Sequence, residues 1–323
     1  MDSSFLGVDI SKQKFDVALL EDEKPRSKVY SNDLNGFNQL VDWLKSRGVT
    51  PHICLEATSY YGHALANHLY ALGYRVSMVN PARIKGFSKS ELSRTKTDKA
   101  DAKMIARFCM AMRPSVWIPE EKWQVELKQW NAYSDDLKKM VRMEKNRIAG
   151  VCSDVAKSMQ KHVNYLEKEI KKTQLEINNL IEQEPELANR KLLLESIPGI
   201  GDVTTAHLIA FIGDPERFES AKQITAYAGL NPRHKQSGTS IKGHTSISKT
   251  GHGQLRKSLY MPALVAIRYN PKMQDFYLRL VKNGKAKKAA ITAVMRKLLV
   301  ICYTILKNKT PYRESADLGA IMA

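Results

Sequence analysis

The stretch FLGVDISKQKFDVALL, residues 5–20, limits the fold more than any other. Two short apolar runs flank the polar SKQK, and each run suits a strand better than a helix. The segment therefore reads as two strands joined by a turn. Asp9 sits between Val8 and Ile10 in the first of them. If those two neighbours face the core, Asp9 faces the other side of the sheet. Val29–Ser31 reads as a third strand. NGFNQLVDWLKSRG has helical spacing at Phe37, Leu40, Val41 and Leu44 and stops at Gly48. HICLEAT is a strand ending on Glu56, YGHALANHLYALG a helix, YRVSMVNP a strand, and a further helix is expected from about Thr97 to Met112. The order ββ(β)αβαβα indicates an α/β domain on a mixed sheet.

The character changes near Pro119. From Trp123 to Gln183, Gly and Pro are scarce, and Leu166, Ile170, Ile177 and Leu180 or Ile181 keep three-four spacing. Long helices follow, as a coiled coil or a plain helical hairpin, with Thr173 and Gln174 interrupting the seam. From Lys191, LLLESIPGIGDVTTAHLIAFIG reads as helix, tight turn, helix, a helix-hairpin-helix element or an ordinary corner. Residues 231–253 are a Gly, Ser, Thr, Lys and His loop, and three helices complete the chain. The expectation is α/β plus all-α, divided at 1–118, 119–190 and 191–323.

Of the 323 residues, 43% are hydrophobic, and no apolar run reads as long enough to cross a bilayer. The four cysteines form no C-x-x-C pair, so neither a zinc site nor a disulfide framework is expected, and a reducing, cytoplasmic setting fits. The net charge of +18 is unevenly placed. Between Asn231 and Lys309 there are 17 Lys and Arg and one acid, Asp275. A basic block beside a nearly neutral body is the footprint of a polyanion-binding surface, and nucleic acid suits it better than lipid. Candidate phosphate contacts are Arg94, Lys96, Arg233, Lys235, Lys242, Lys249, Arg256 and Lys257. Gly199 and Gly201 let backbone approach a phosphate at a helix start.

RTKTDKADAKMIARF, residues 94–108, places Asp98 and Asp101 on one face of a helix. With Asp9 and Glu56 at strand ends, four carboxylates can meet. Their repulsion is relieved by a divalent cation, and oxygen-only ligands favour Mg²⁺ or Mn²⁺. Two such ions about 3.5–4 Å apart can activate a nucleophile and stabilise a leaving oxygen. Taken singly, Asp98 and Asp101 also suit a first helical turn, which favours acids, and Glu56 a surface strand end, whereas Asp9, an acid between apolar residues in a strand, is the hardest to explain so.

GVDISKQKFDVALL, LEATSYYG and NPARIKGFSKSELSRTKTDKADAKMIARF resemble the N-terminal part of the insertion sequence 110 family of transposases. That part is similar to Holliday-junction resolvases of the RuvC type, with an RNase H-like fold. SIPGIG, AYAGLNPR and SGTSIKG resemble the same family's transposase domain, as in Piv-type DNA invertases. The resemblance implies a catalytic acid set of Asp9, Glu56, Asp98 and Asp101, a metal held by it, and a serine nucleophile, by motif Ser237 in QSGTS. It implies a composite site, with Ser237 of one protomer meeting the acids of another in a dimer or tetramer acting on donor and target DNA. A structured bridge RNA would choose the sequence, much as in other RNA-guided systems. From chemistry alone Ser237, Thr239, Ser240 and Ser246 equally suit hydrogen bonds to phosphate, and Ser240 leaves the serine register open.

Two other readings remain beside the recombinase. One is a junction-cutting endonuclease using metal and water, and the other a non-catalytic DNA- or RNA-binding protein. All three require that the basic block supply affinity. Binding to nucleic acid should weaken by roughly 10³-fold or more between about 50 and 200 mM salt if about six phosphates are engaged. A titration with a flat salt response would remove the backbone-contact role.

Overall fold

Strand β1 (Ser4–Ile10) is the centre of a five-stranded sheet. In the computed structural model the residues described are 4–21, 24–57, 61–91, 97–233, 236–237, 241–242 and 246–313. They fall into two compact units, Met1–Pro119 and Glu120–Ala323.

In the first unit β1 pairs antiparallel with β2 (Lys14–Glu21), and β2 with β3 (Lys24–Ser31). On its other side β1 runs parallel to β4 (His52–Glu56), which runs parallel to β5 (Val76–Val79), giving the order β3-β2-β1-β4-β5. Helices α1 (Leu34–Ser46) and α2 (Tyr61–Ala71) cover one face, where Leu6, Val8, Phe15, Leu40, Leu55 and Leu65 are fully buried. Helices α3 (Pro81–Ser90) and α4 (Asp98–Met112) cover the other, against Phe5, Ala18, Leu20, Cys54 and Val79. The face opposite Val8, where Asp9 was expected, is therefore not open. It lies under α4.

The depth at which α4 sits depends on Gly7. A Cβ at that position would run into the Ala102 carbonyl and the Ala106 backbone nitrogen. Bare backbone meets bare backbone there, with the small side chains of Ala102 and Ala106 fully buried. Two elements went beyond the sequence reading. Strand β3 is longer than Val29–Ser31; its earlier part carries the exposed Arg26 and Lys28, as an edge strand tolerates, and so lacks an apolar signal. Helix α3 was not anticipated. It buries only Ile84, so it lacks an apolar stripe, but Asn80 caps it by accepting from the Ala82 amide and Pro81 opens it.

In the second unit α5 (Lys122–Ile148) and α6 (Ser153–Gln183) pack along each other as a helical hairpin. Val163, Leu166, Thr173, Ile177 and Ile181 are the buried residues of α6. Thr173 is tolerated in that seam because its hydroxyl donates to the Glu169 carbonyl one turn back, at 2.8 Å. Helices α7 (Pro185–Glu195) and α8 (Asp202–Ile212) follow, then a 3₁₀ turn at Pro215–Arg217 and α9 (Ala221–Tyr227). Four two-residue strands come next: β6 (Pro232–Arg233), β7 (Gln236–Ser237), β8 (Ile241–Lys242) and β9 (Ser246–Ile247). Helices α10 (Gly253–Ser258), α11 (Tyr260–Tyr269), α12 (Pro271–Lys282) and α13 (Lys287–Asn308) close the unit.

Contrary to the expectation that no run reaches membrane-spanning length, α13 has the length and composition of a span. Its apolar residues serve packing: Val294, Leu298, Leu299, Ile301, Cys302 and Ile305 lie in the core shared with α7, α8, α9 and α11.

Adding a methyl at Gly7 forces α4 off the sheet. Gly7→Ala should therefore cost at least the roughly 1–3 kcal/mol typical of overpacking. Urea unfolding followed by circular dichroism measures it, and an unchanged midpoint would mean that α4 does not rest on this contact.

Candidate carboxylate site

Asp9 lies on β1 facing α4, and its cross-strand partner on β2 is Asp16. Glu56 is the last residue of β4, whose register with β1 sets Leu55 beside Val8. The fourth and fifth acids are Asp98 and Asp101, in the first turn of α4. Thr97 starts that turn, its hydroxyl accepting from the Ala100 amide at 3.2 Å and its carbonyl from the Asp101 amide at 2.8 Å. Because Gly7 seats α4 on β1, this first turn comes down beside the carboxyl end of the central strands.

The neighbouring acids act on Asp9 and Glu56. Burial raises the Asp9 carboxyl, and the charges of Asp101, Asp98, Glu56 and Asp16 raise it further, to about 6. Glu56 is also raised, by burial first and then by Asp101. Asp98 moves the other way, because the Lys14 ammonium donates to it at 2.9 Å and holds it ionised. The same ammonium reaches Asp16 at 3.3 Å, and these two acids in turn raise the Lys14 value. An all-oxygen donor set in which one carboxyl resists ionisation is suited to a hard divalent cation.

The structure thus brings Asp9, Glu56, Asp98 and Asp101 into one electrostatic group and adds Asp16 and Lys14, which sequence reading missed. Their signal was available. Once SKQK is taken as the turn, Ile10 pairs with Phe15 and Asp9 must pair with Asp16.

Ser237 is on β7 in the second unit, paired through Ile241 with β8, and the backbone at its base is tightly organised. Pro232 pairs with Ile247 and Arg233 with Ser246. Below that pair, Ser248 bonds Asn231 through its amide to the carbonyl, at 2.9 Å, and through its hydroxyl to Oδ1, at 2.6 Å. The Lys249 amide donates to Gly229 and the His252 amide to Tyr227. The loop expected over 231–253 is therefore clasped at its base. His234, Lys235, Gly238, Thr239, Ser240 and 243–245 lie outside the described residues, as do Arg94 and Lys96.

The remaining basic candidates divide by what they touch. Arg233 and Lys249 are exposed. Arg256 turns inward and donates to the Ala228 carbonyl at 3.0 Å, helping the clasp. Lys257 pairs with Asp135 of α5 at 2.7 Å. Gly199, at φ 98, is close-packed against Pro262 and Ala266 of α11, so the approach it allows is between two parts of its own unit. Gly201 caps α8 and has open space around it.

An acid whose carboxyl is raised by folding binds more protons folded than unfolded between its two values. Asp9 thus lowers stability as pH rises from about 4 to about 6 and leaves the deficit in place above. Asp9→Asn should raise the Tm of metal-free protein at pH 7 and leave it little changed at pH 4. A lower Tm at pH 7 would show that Asp9 is not a site of crowded charge.

Two family descriptions match the chain: "Transposase" of the DEDD type over residues 6–156, and "Transposase IS116/IS110/IS902 family" over residues 191–278. The chain is 35% identical over 317 residues to the pilin gene-inverting protein of Moraxella bovis, covering 97% of this chain and 98% of that one. The pilin gene-inverting protein of Moraxella lacunata is similar to the same extent. A transposase of insertion sequence element IS1328 from Yersinia enterocolitica is 24% identical over 296 residues, 81% of this chain and 83% of its own. With matches at both ends and a full-length relative, the chain belongs to the IS116/IS110/IS902 family of transposases, enzymes that cut and rejoin DNA.

Proposed function

We propose that this transposase breaks and rejoins DNA through a phosphoserine intermediate, with Ser237 as nucleophile and Asp9, Glu56, Asp98 and Asp101 as metal ligands. The observation that carries the reading is the crowding of these acids on Asp9, which raises its carboxyl to about 6 in a family whose chemistry is DNA strand exchange. We read the first unit as RNase H-like, on its mixed sheet and on acids gathered at the ends of β1 and β4 under α4.

Mg²⁺, or Mn²⁺ in its place, would supply Lewis-acid polarisation of the phosphodiester and balance its charge. The carboxylates hold that charge in position, and Asp9 ionises fully once the repulsion is offset. Ser237 loses its proton as its Oγ forms the bond to phosphorus. The bond to the leaving strand breaks, and the freed hydroxyl of that strand takes up a proton. The phosphoester retains the bond energy, so the reverse attack by a DNA hydroxyl rejoins strands without ATP. The serine is activated by its surroundings, since a free hydroxyl is a weak nucleophile.

The remaining parts of the reading come from the family. The serine and the acids would be contributed by different copies of the chain in a dimer or tetramer. A structured bridge RNA would pair with donor and target DNA, while the basic block of the second unit holds backbone phosphates. The enzyme would work in the cytoplasm of a prokaryotic cell, on the nucleoid. Full-length similarity to proteins named for inverting a pilin gene adds inversion of a segment to insertion as an outcome. A water-using endonuclease is the competing chemistry, and it leaves no protein–DNA bond.

Denaturing electrophoresis of protein incubated with Mg²⁺, RNA and labelled DNA separates the two. A covalent adduct is expected, absent in Ser237→Ala and in Asp98→Asn or Asp101→Asn, with nucleic-acid binding retained in all three. An adduct that persists in Ser237→Ala and vanishes in Ser240→Ala would move the nucleophile to Ser240. Nicking with no adduct would establish the endonuclease.

A further inference from the structure

At the far end of α4 from the acids lies a second group of metal-ligating side chains. His52 opens β4, Cys54 follows it on the same face, and Cys109 is in the last turn of α4. All three are buried, and one ligand atom of each lies within 4.8 Å of the others. Asp101 and Cys109 are eight residues apart on one helix, about 12 Å along its axis. The group is thus separate from the carboxylates.

The hydrogen bonds around His52 fix its tautomer. Ser77 Oγ has one hydrogen, and two backbone carbonyls face it, Ser115 at 2.8 Å and Pro114 at 3.2 Å. The hydroxyl donates there, so toward His52 Nε2, at 2.8 Å, it can only accept. Nε2 therefore carries the proton, and Nδ1 carries a lone pair. That Nδ1 is buried and has no hydrogen-bond partner among the described residues. A histidine whose one nitrogen donates to a fixed acceptor while the other is left bare is the arrangement that metal-binding histidines show. The Cys109 thiol lies against the side chains of Cys54 and His52 and makes a long contact to the His52 carbonyl, 3.5 Å.

We propose that His52 Nδ1, Cys54 Sγ and Cys109 Sγ bind a soft, thiolate-seeking cation, Zn²⁺ or Cu⁺, which fastens β4 to the end of α4. Two sulfurs and an imidazole select this class over Mg²⁺ or Ca²⁺. Bonds of about 2.3 Å to sulfur and about 2.0 Å to nitrogen set donors roughly 3.5–3.8 Å apart in a tetrahedral arrangement. From separations of up to 4.8 Å, the three atoms need to close by about 1.3 Å at most to meet that requirement. Binding replaces both thiol protons, which pass to solvent. The ion would be a structural pin, as no substrate can reach so buried a place.

The test uses full-length protein, reduced and stripped of metal. Equimolar Co²⁺, a probe for Zn²⁺, should give a sulfur-to-cobalt charge-transfer band that Zn²⁺ then displaces. Cu⁺ affinity is measured in parallel by competition with a chromophoric chelator. Added Zn²⁺ or Cu⁺ should raise the Tm. The band should be lost in Cys54→Ala and in Cys109→Ala. It should remain in Cys152→Ser, where the cysteine is exposed, and in Asp101→Asn. Circular dichroism confirms that each variant is folded. If the unaltered protein gives no thiolate–cobalt band and does not hold Cu⁺ against the chelator, the site does not exist. A band that survives in both Cys54→Ala and Cys109→Ala places the ion elsewhere and equally overturns the proposal.

Discussion

Backbone packed directly on backbone, where α4 crosses β1 at Gly7, is the contact on which the first unit depends. Ordinary helix–sheet packing keeps side chains between the layers. Here glycine below and alanine above remove that spacer, and the start of α4 drops to the level of the strand ends. Thr97 caps the helix so that Asp98 and Asp101 occupy its first turn, where the helix dipole favours negative charge. Stability and site geometry thus come from one contact: the large apolar residues Ile105 and Phe108 hold the rest of the helix in place, and the small ones set its height.

The crowded acids conflict with burial, and the structure relieves the conflict unequally. Asp98 and Asp16 share Lys14, whereas among the described residues no cation pairs with Asp9 or Glu56, and both rise. Groups whose environments push their values apart on one site are the usual mark of assigned chemical roles. Four acids act on Asp9.

Much of this was legible in the sequence, for reasons that can be stated residue by residue. Strong strands with apolar runs, such as Ser4–Ile10 and His52–Glu56, betray themselves by composition. The helix start at Thr97 follows from a capping residue before acids. What was hidden depended on long-range pairing or on weak periodicity. Asp16 becomes visible only when the register of the hairpin is written out. Helix α3 buries one large side chain, so only its Asn-Pro start announces it. The cysteines looked scattered because Cys54 and Cys109 are far apart in the chain, and spacing rules for metal sites see only near neighbours. Helix α13 passes for a bilayer span by length and composition although its apolar residues lie in a core, since the two kinds of helix are alike in composition. The clasp below Ser237 is made largely by backbone amides, which carry no residue signature, with side-chain bonds from Ser248 and Arg256 beside them.

Lys14 gives the first unit a counter-ion of its own. Its ammonium spans Asp16 and Asp98, and they strengthen its hold on the proton. Part of the negative charge beside Asp9 is therefore offset by the chain itself. A divalent ion held by these acids, as proposed above, would exchange with the half-exposed lysine, whose ion pair costs little to break.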